Sequence, residues 1–286
     1  DEIDELFGLP HFSDDDRRLY FDLSAKEREL FDNTRTFSVA AHLVLQLGYF
    51  KAKRQFFSYE QESSVLNDLD YIAALYFPTK TLSRLKSPSR PIRAEQQRAI
   101  LDLFQYKQCD NEVKVDLEDK AQRVAMLSTQ PIFIFRELTQ YLALHRIVMP
   151  SYRYMQEMIG RVVAYERTRI ARLLSTCMTS LIDQQLAALL RAESGVFRVS
   201  ALKHEAKDFS YKELRHEVAR RQFFQPLHEF AKQFLITAGI SNESGKYYAS
   251  MVKFYTTYKL QRMKKETAQL YLLFFAFHRF QQINDN

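Results

Sequence analysis

The sequence predicts an all-α protein, a multi-helical array of two helix-turn-helix-like bundles followed by a further helical unit. Three observations carry this. Only six Gly and seven Pro occur among 286 residues, far below the roughly 12% usual in proteins, and strand-rich or doubly wound folds need such residues at every turn. Apolar residues recur at i, i+3/i+4, i+7 over long stretches. Ser, Thr and Asp stand where helices should start. With 46% hydrophobic residues, a packed core is assured and general disorder excluded.

In chain order, residues 3–12 should form a short helix stopped near Gly8-Leu9-Pro10, after which Ser13-Asp14-Asp15-Asp16 cap a second. Ser24 and Glu27 form a capping box opening a helix to about Asn33. Over 37–50, Phe37, Ala40, Ala41, Val44, Leu47 and Gly48 share one face. A basic, aromatic turn follows, with Lys51, Lys53 and Arg54 beside Phe56 and Phe57. Residues 62–77 should bury Val65, Leu69, Ile72, Ala73 and Tyr76, and Pro78 closes a first unit, 1–78.

Residues 79–93 read as a basic linker, with Lys80, Arg84, Lys86, Arg90 and Arg93 and no acid. X-Pro steps favour extended backbone, so a cationic strap is expected. A second unit, 94–179, should hold helices at 93–105, 116–127 and 131–146, the last opening on Pro131. A long helix over about 151–179 follows, with Arg153, Arg161 and Arg172 opposite its apolar stripe. The third unit, 180–286, should be helical at 180–192, 210–238, 246–258 and 260–283, broken at Gly195, Gly239 and Gly245. Its last helix is apolar nearly all round, which calls for burial on every side.

Charge is divided unevenly. Residues 1–78 carry a net −7 and residues 79–286 a net +13, a bias that suggests a polyanion such as nucleic acid. An incidentally basic protein-interaction scaffold is the alternative. Two cysteines, Cys109 and Cys177, make neither a disulfide framework nor a zinc site, so a reducing, cytoplasmic setting is expected. The longest apolar run, 270–277, is far short of the about 20 residues a bilayer span needs. The chain opens on Asp1 without an initiator Met and is expected to be part of something longer. All six glycines are isolated, which excludes phosphate-binding Gly-rich loops. His204, His216 and His228 recur every twelve residues, an offset of about 120° on a helix, and none of the three His-Glu pairs continues into a metalloprotease motif. No catalytic or metal-ligating residue and no cofactor is expected in this chain.

Four segments, LFGLPHFSDDDRRLYFDLSAKERELF (6–31), LVLQLGYFKAKRQFF (43–57), FRELTQYLALHRIVMPSYRYMQEMIGR (135–161) and KYYASMVKFYTTYKLQRMKKETAQLYLLFFAF (246–277), resemble the N-terminal region of Tn-three family transposases. These are the replicative transposases of bacterial class II elements, relatives of the gamma-delta transposase. The resemblance implies an all-helical region that binds double-stranded DNA at the transposon terminal inverted repeats. It places cutting and joining in an RNase H-like domain with an Asp-Asp-Glu triad and Mg²⁺, C-terminal to all four segments. It also allows pairing of full-length copies into a homodimer, and implies no membrane. The residues expected at DNA are Lys51, Lys53, Arg54, Lys80, Arg84, Lys86, Arg90, Arg93, Arg153, Arg161 and Arg172.

Overall fold

The computed structural model describes residues 6–34, 36–57, 63–79, 88–193, 196–203 and 210–285, and these are overwhelmingly helical. The helices are α1 (Asp14–Phe21), α2 (Ala25–Asp32), α3 (Phe37–Lys53), α4 (Ser63–Tyr76), α5 (Arg90–Phe104), α6 (Asn111–Leu127), α7 (Pro131–Leu144), α8 (Tyr152–Cys177), α9 (Ser180–Leu189), α10 (Arg198–Leu202), α11 (Tyr211–Ala238), α12 (Asn242–Phe254), α13 (Thr257–Arg262) and α14 (Lys265–Asp285). One minimal antiparallel hairpin, β1 (Ala192–Glu193) with β2 (Val196–Phe197), interrupts them. The all-α expectation holds, with that hairpin as a small addition.

Helix starts follow the sequence signals. Ser13 and Asp16 form a reciprocal capping box, with Ser13 N–H donating to Asp16 at 3.0 Å and Asp16 N–H to Ser13 Oγ at 3.2 Å. Ser24 and Glu27 do the same at 2.7 and 3.4 Å. Thr179, Ser210, Ser241 and Thr256 cap α9, α11, α12 and α13 through their hydroxyls. Several helix ends do without glycine. Arg54, Gln105 and Arg146 adopt positive φ (55°, 56° and 50°), the left-handed conformation that favours glycine, and close α3, α5 and α7, whereas α11 closes on Gly239. Gly245, expected to break a helix, instead lies inside α12, buried against Phe274, where a Cβ would stand 3.3 Å from that ring. The real break falls at Met263-Lys264, so the expected 260–283 helix is two, α13 and α14. Gly195 lies outside the described residues.

The chain divides into two compact units, 1–114 with 139–155 and 115–138 with 156–286, rather than at 78, 93 and 179. The reason is side-chain pairing. Helix α5, expected to open a second bundle, packs back on α3: Gln46 Nε2 donates to Gln96 Oε1 at 2.6 Å, and Gln96 Nε2 donates to the Val39 carbonyl at 2.8 Å. The strap also ends earlier than expected. Residues 90–93 are the first turn of α5, with Ser89 as N-cap and Pro91 in the first turn, where proline's missing N–H costs nothing.

Each unit is built around one helix buried on all sides. In the first unit it is α3, whose residues Ala40 to Phe50 are all buried. Burial there extends beyond the single face that the 37–50 periodicity marks, because α1, α2, α4 and α5 all pack on this helix. The Tyr49 hydroxyl is answered inside, donating to Asp68 at 2.9 Å, and Arg17 Nε of α1 donates to the same carboxylate at 2.8 Å. Rings of Phe12, Phe21 and Tyr49 close around it, at centroid distances of 5.3 Å for Phe12–Phe21 and 5.7 Å for Phe12–Tyr49. In the second unit it is α14, buried from Ala268 to Phe277 and again at Arg279 and Phe280. It packs chiefly against α11 and α12, as its all-round apolar sequence requires.

Candidate nucleic-acid interface

In the first unit, the expected basic turn is partly committed to the fold. Lys51 Nζ donates to the Asp22 carbonyl at the end of α1 (2.7 Å) and lies 3.4 Å from the buried Glu27 carboxylate. A cation at a helix C-terminus stabilises the orphan carbonyls and the dipole there, so Lys51 fastens α1 and α2 to α3. Lys53 is half-buried. Arg54 is exposed, with its guanidinium 5.5 Å from the Phe104 ring centroid and 6.0 Å from those of Phe50 and Tyr106. Its planar head stays open to an anion at one edge while the rings hold its face.

Lys80, Arg84 and Lys86 lie outside the described residues. Arg90 is exposed at the start of α5, whereas Arg93 is half-buried and its charge bears on His42. Burial first, and Arg93 second, push the His42 imidazole down to about 4.

The long helix α8 sorts its arginines by depth. Arg169 turns inward and holds the buried Glu166 carboxylate with two bonds, 2.8 and 2.6 Å. Arg167 is half-buried and donates to Tyr271 OH at 3.4 Å. Arg153, Arg161 and Arg172 are exposed, as the periodicity of 151–179 predicts. Eleven steps of 100° bring Arg161 and Arg172 within about 20° of each other. Arg161 pairs with Glu118 on α6 at 3.3 Å, a surface contact worth about 0–1 kcal/mol and readily exchanged for another anion. Arg172 and Arg169 line a groove of about 550 Å³ along α8 with Tyr165, Thr168 and Thr176. Of the two arginines only Arg172 faces outward there, since Arg169 is tied to Glu166, and Ala164 and Leu173 make part of the wall apolar.

No group of three or more His, Cys, Asp or Glu is placed to hold a metal ion among the described residues. Packing instead occupies His228, which stacks on Phe277 and Phe280 at 4.9 and 4.3 Å, and burial lowers its pKa. No described helix is long and apolar enough to cross a membrane. A second cationic surface, around residues 253–265, escapes a helix-by-helix reading of the sequence. Its signal is the run 247–265, which holds five Lys or Arg and no acid.

Fold and surface together define a class: an overwhelmingly helical protein of two units, each wrapped on a buried central helix, the second carrying more Lys and Arg than Asp and Glu. Residues 1–162 match the family model described as Domain of unknown function (DUF4158), a domain found in Tn-three family transposases. The match spans more than half of the chain, which belongs to the DUF4158 family. No curated protein matches the chain.

Proposed function

We propose that this chain recognises the terminal inverted repeats of a transposable element, as the DNA-binding part of a Tn-three family transposase. The observation that carries the reading is the match of residues 1–162 to a domain of those transposases. The net +13 of residues 79–286 and the outward Arg161 and Arg172 of α8 support it. Phosphate contacts from these arginines would set affinity and register, and base contacts in the major groove would set sequence choice. Strand cutting and joining, with Mg²⁺, belong in this reading to an RNase H-like domain outside the chain. The setting is cytoplasmic, at the bacterial nucleoid, and full-length copies pair at two transposon ends.

Footprinting of the chain on the inverted repeats that flank its own gene tests the proposal. A discrete protected stretch inside each repeat, absent from a scrambled duplex, is expected. Arg161→Ala with Arg172→Ala should weaken binding to both duplexes and flatten log K against log[salt] by about 0.9 for each phosphate no longer neutralised. Equal affinity for repeat and scrambled DNA would refute end recognition.

A further inference from the structure

Helix α13 and its flanks carry a surface that folding does not explain. The helix is held firmly from below. Thr257 and Leu260 are buried, Ser200 and Thr257 share a hydroxyl hydrogen bond of 2.9 Å, Lys203 Nζ donates to the Tyr255 carbonyl at 2.9 Å, and Gln261 donates to the Leu190 carbonyl at 3.0 Å. Its outer side is different. Lys253, Lys259, Arg262 and Lys264 are all exposed, and no ion pair holds any of the four among the described residues, although Lys259 Nζ lies 4.0 Å from the Tyr255 ring centroid. Arg191, exposed, follows directly on the Leu190 that Gln261 anchors. Among these cations stand two aromatic rings that the core leaves out, Phe254 at 78% exposure and Tyr258 at 64%. Tyr258 meets Phe197 edge-on at 5.4 Å, so its ring is fixed while much of its surface stays in solvent.

Exposed aromatics cost free energy in water, and like charges without counter-ions repel, so the crowding of both on one side is not favoured by folding alone. Each is accounted for by a polyanion that neutralises the cations and offers flat or sugar surface to the rings. Rigid mounting matters, because cations held on a pinned helix lose little freedom on contact.

We propose that the outer side of α13, with Lys259, Arg262 and Lys264 at its centre and Phe254 and Tyr258 beside them, is a phosphate-backbone contact surface for duplex DNA. This deepens the DNA-binding reading above and rests on it, naming a contact region separate from the α8 arginines.

The test measures duplex affinity of the whole chain against salt, for an inverted-repeat duplex and a random one. The variant Lys259→Ala/Arg262→Ala/Lys264→Ala is compared with Arg18→Ala/Lys26→Ala/Arg28→Ala, which removes the same charge from three exposed cations of the first unit. The α13 variant should flatten the salt slope by about 2.7, near 0.9 per phosphate, so that a fourfold rise in salt weakens it about 40-fold less than the parent. The first-unit variant should keep the parental slope, and both should keep the parental circular dichroism and melting. An unchanged slope in the α13 variant, or an equal fall in both, overturns the proposal while leaving the DNA-binding reading intact. Failure of the parent chain to bind either duplex overturns that broader reading itself.

Discussion

Three helical glycines make a graded test of how tightly this fold is packed. A Cβ at Gly48, in the buried α3, would lie 2.4 and 2.5 Å from two ring carbons of Phe21 and 3.3 Å from the Tyr20 carbonyl oxygen. Ordinary contact begins near 3.4 Å, so the ring would have to retreat by roughly 1 Å, a shift costing up to about 3 kcal/mol in a well-packed core. Phe21 is fully buried and hemmed by Phe12 at 5.3 Å and Tyr71 at 6.2 Å between centroids. Replacing glycine by alanine inside a helix returns about 1 kcal/mol of propensity. Gly48→Ala should therefore destabilise the first unit by about 1–2 kcal/mol. At Gly160, exposed on α8, a Cβ meets nothing within 4 Å, so only the propensity gain remains and Gly160→Ala should stabilise by about 1 kcal/mol. Gly245 lies between, with Phe274 at 3.3 Å and His278 at 3.4 Å, and its two effects should nearly cancel. At about 2–4 °C per kcal/mol for units of this size, thermal unfolding followed by circular dichroism resolves the order. Limited proteolysis during the ramp assigns each transition to its unit, since two units need not melt as one. A Gly48→Ala variant as stable as Gly160→Ala would refute the packing argument.

Other parts of the same geometry can be tested directly. Asp68, which accepts from both Tyr49 and Arg17, should cost about 2–3 kcal/mol when changed to Ala, because the buried Tyr49 hydroxyl loses its acceptor while Arg17 keeps Asp14; urea unfolding measures it, and a loss under about 1 kcal/mol would contradict the network. His42, held down to about 4 by burial and Arg93, binds its proton more readily in the unfolded chain. Its contribution is thus complete above about pH 6.5 and is lost as pH falls toward 4, a swing of about 3 kcal/mol that His42→Phe should remove from the stability–pH curve. Ending the chain at residue 263 deletes α14 and the centre of the second unit's core, and should abolish that unit's cooperative melting; persistence of the transition would show that α11 and α12 suffice. Incubation of the pure chain with an end-containing supercoiled plasmid and Mg²⁺ or Mn²⁺ should give no nicks, and nicking would place cutting chemistry inside these residues.

The sequence by itself determined the helices and where they begin. Capping boxes at Ser13 and Ser24, the serines and threonines before α9, α11, α12 and α13, and the 3.6-residue periodicity of α8 are local signals, set by orphan N–H groups and helix geometry within a few residues. It determined too that α14 must be buried on every side, and that Arg153, Arg161 and Arg172 face outward. What only the tertiary structure decided was partnership. Gln96 finding Gln46 assigns α5 to the first bundle, across fifty residues that no periodicity connects. Packing holds Arg54, Gln105 and Arg146 in left-handed turns where glycine would be expected, and lets Gly245 sit inside a helix because Phe274 needs the room. The same holds for the surface. Whether Lys51 serves a ligand or the end of α1, and whether Lys259, Arg262 and Lys264 share one pinned platform with Tyr258, depends on which distant backbone lies beneath them, and pairing between residues far apart in the chain leaves no imprint on local spacing.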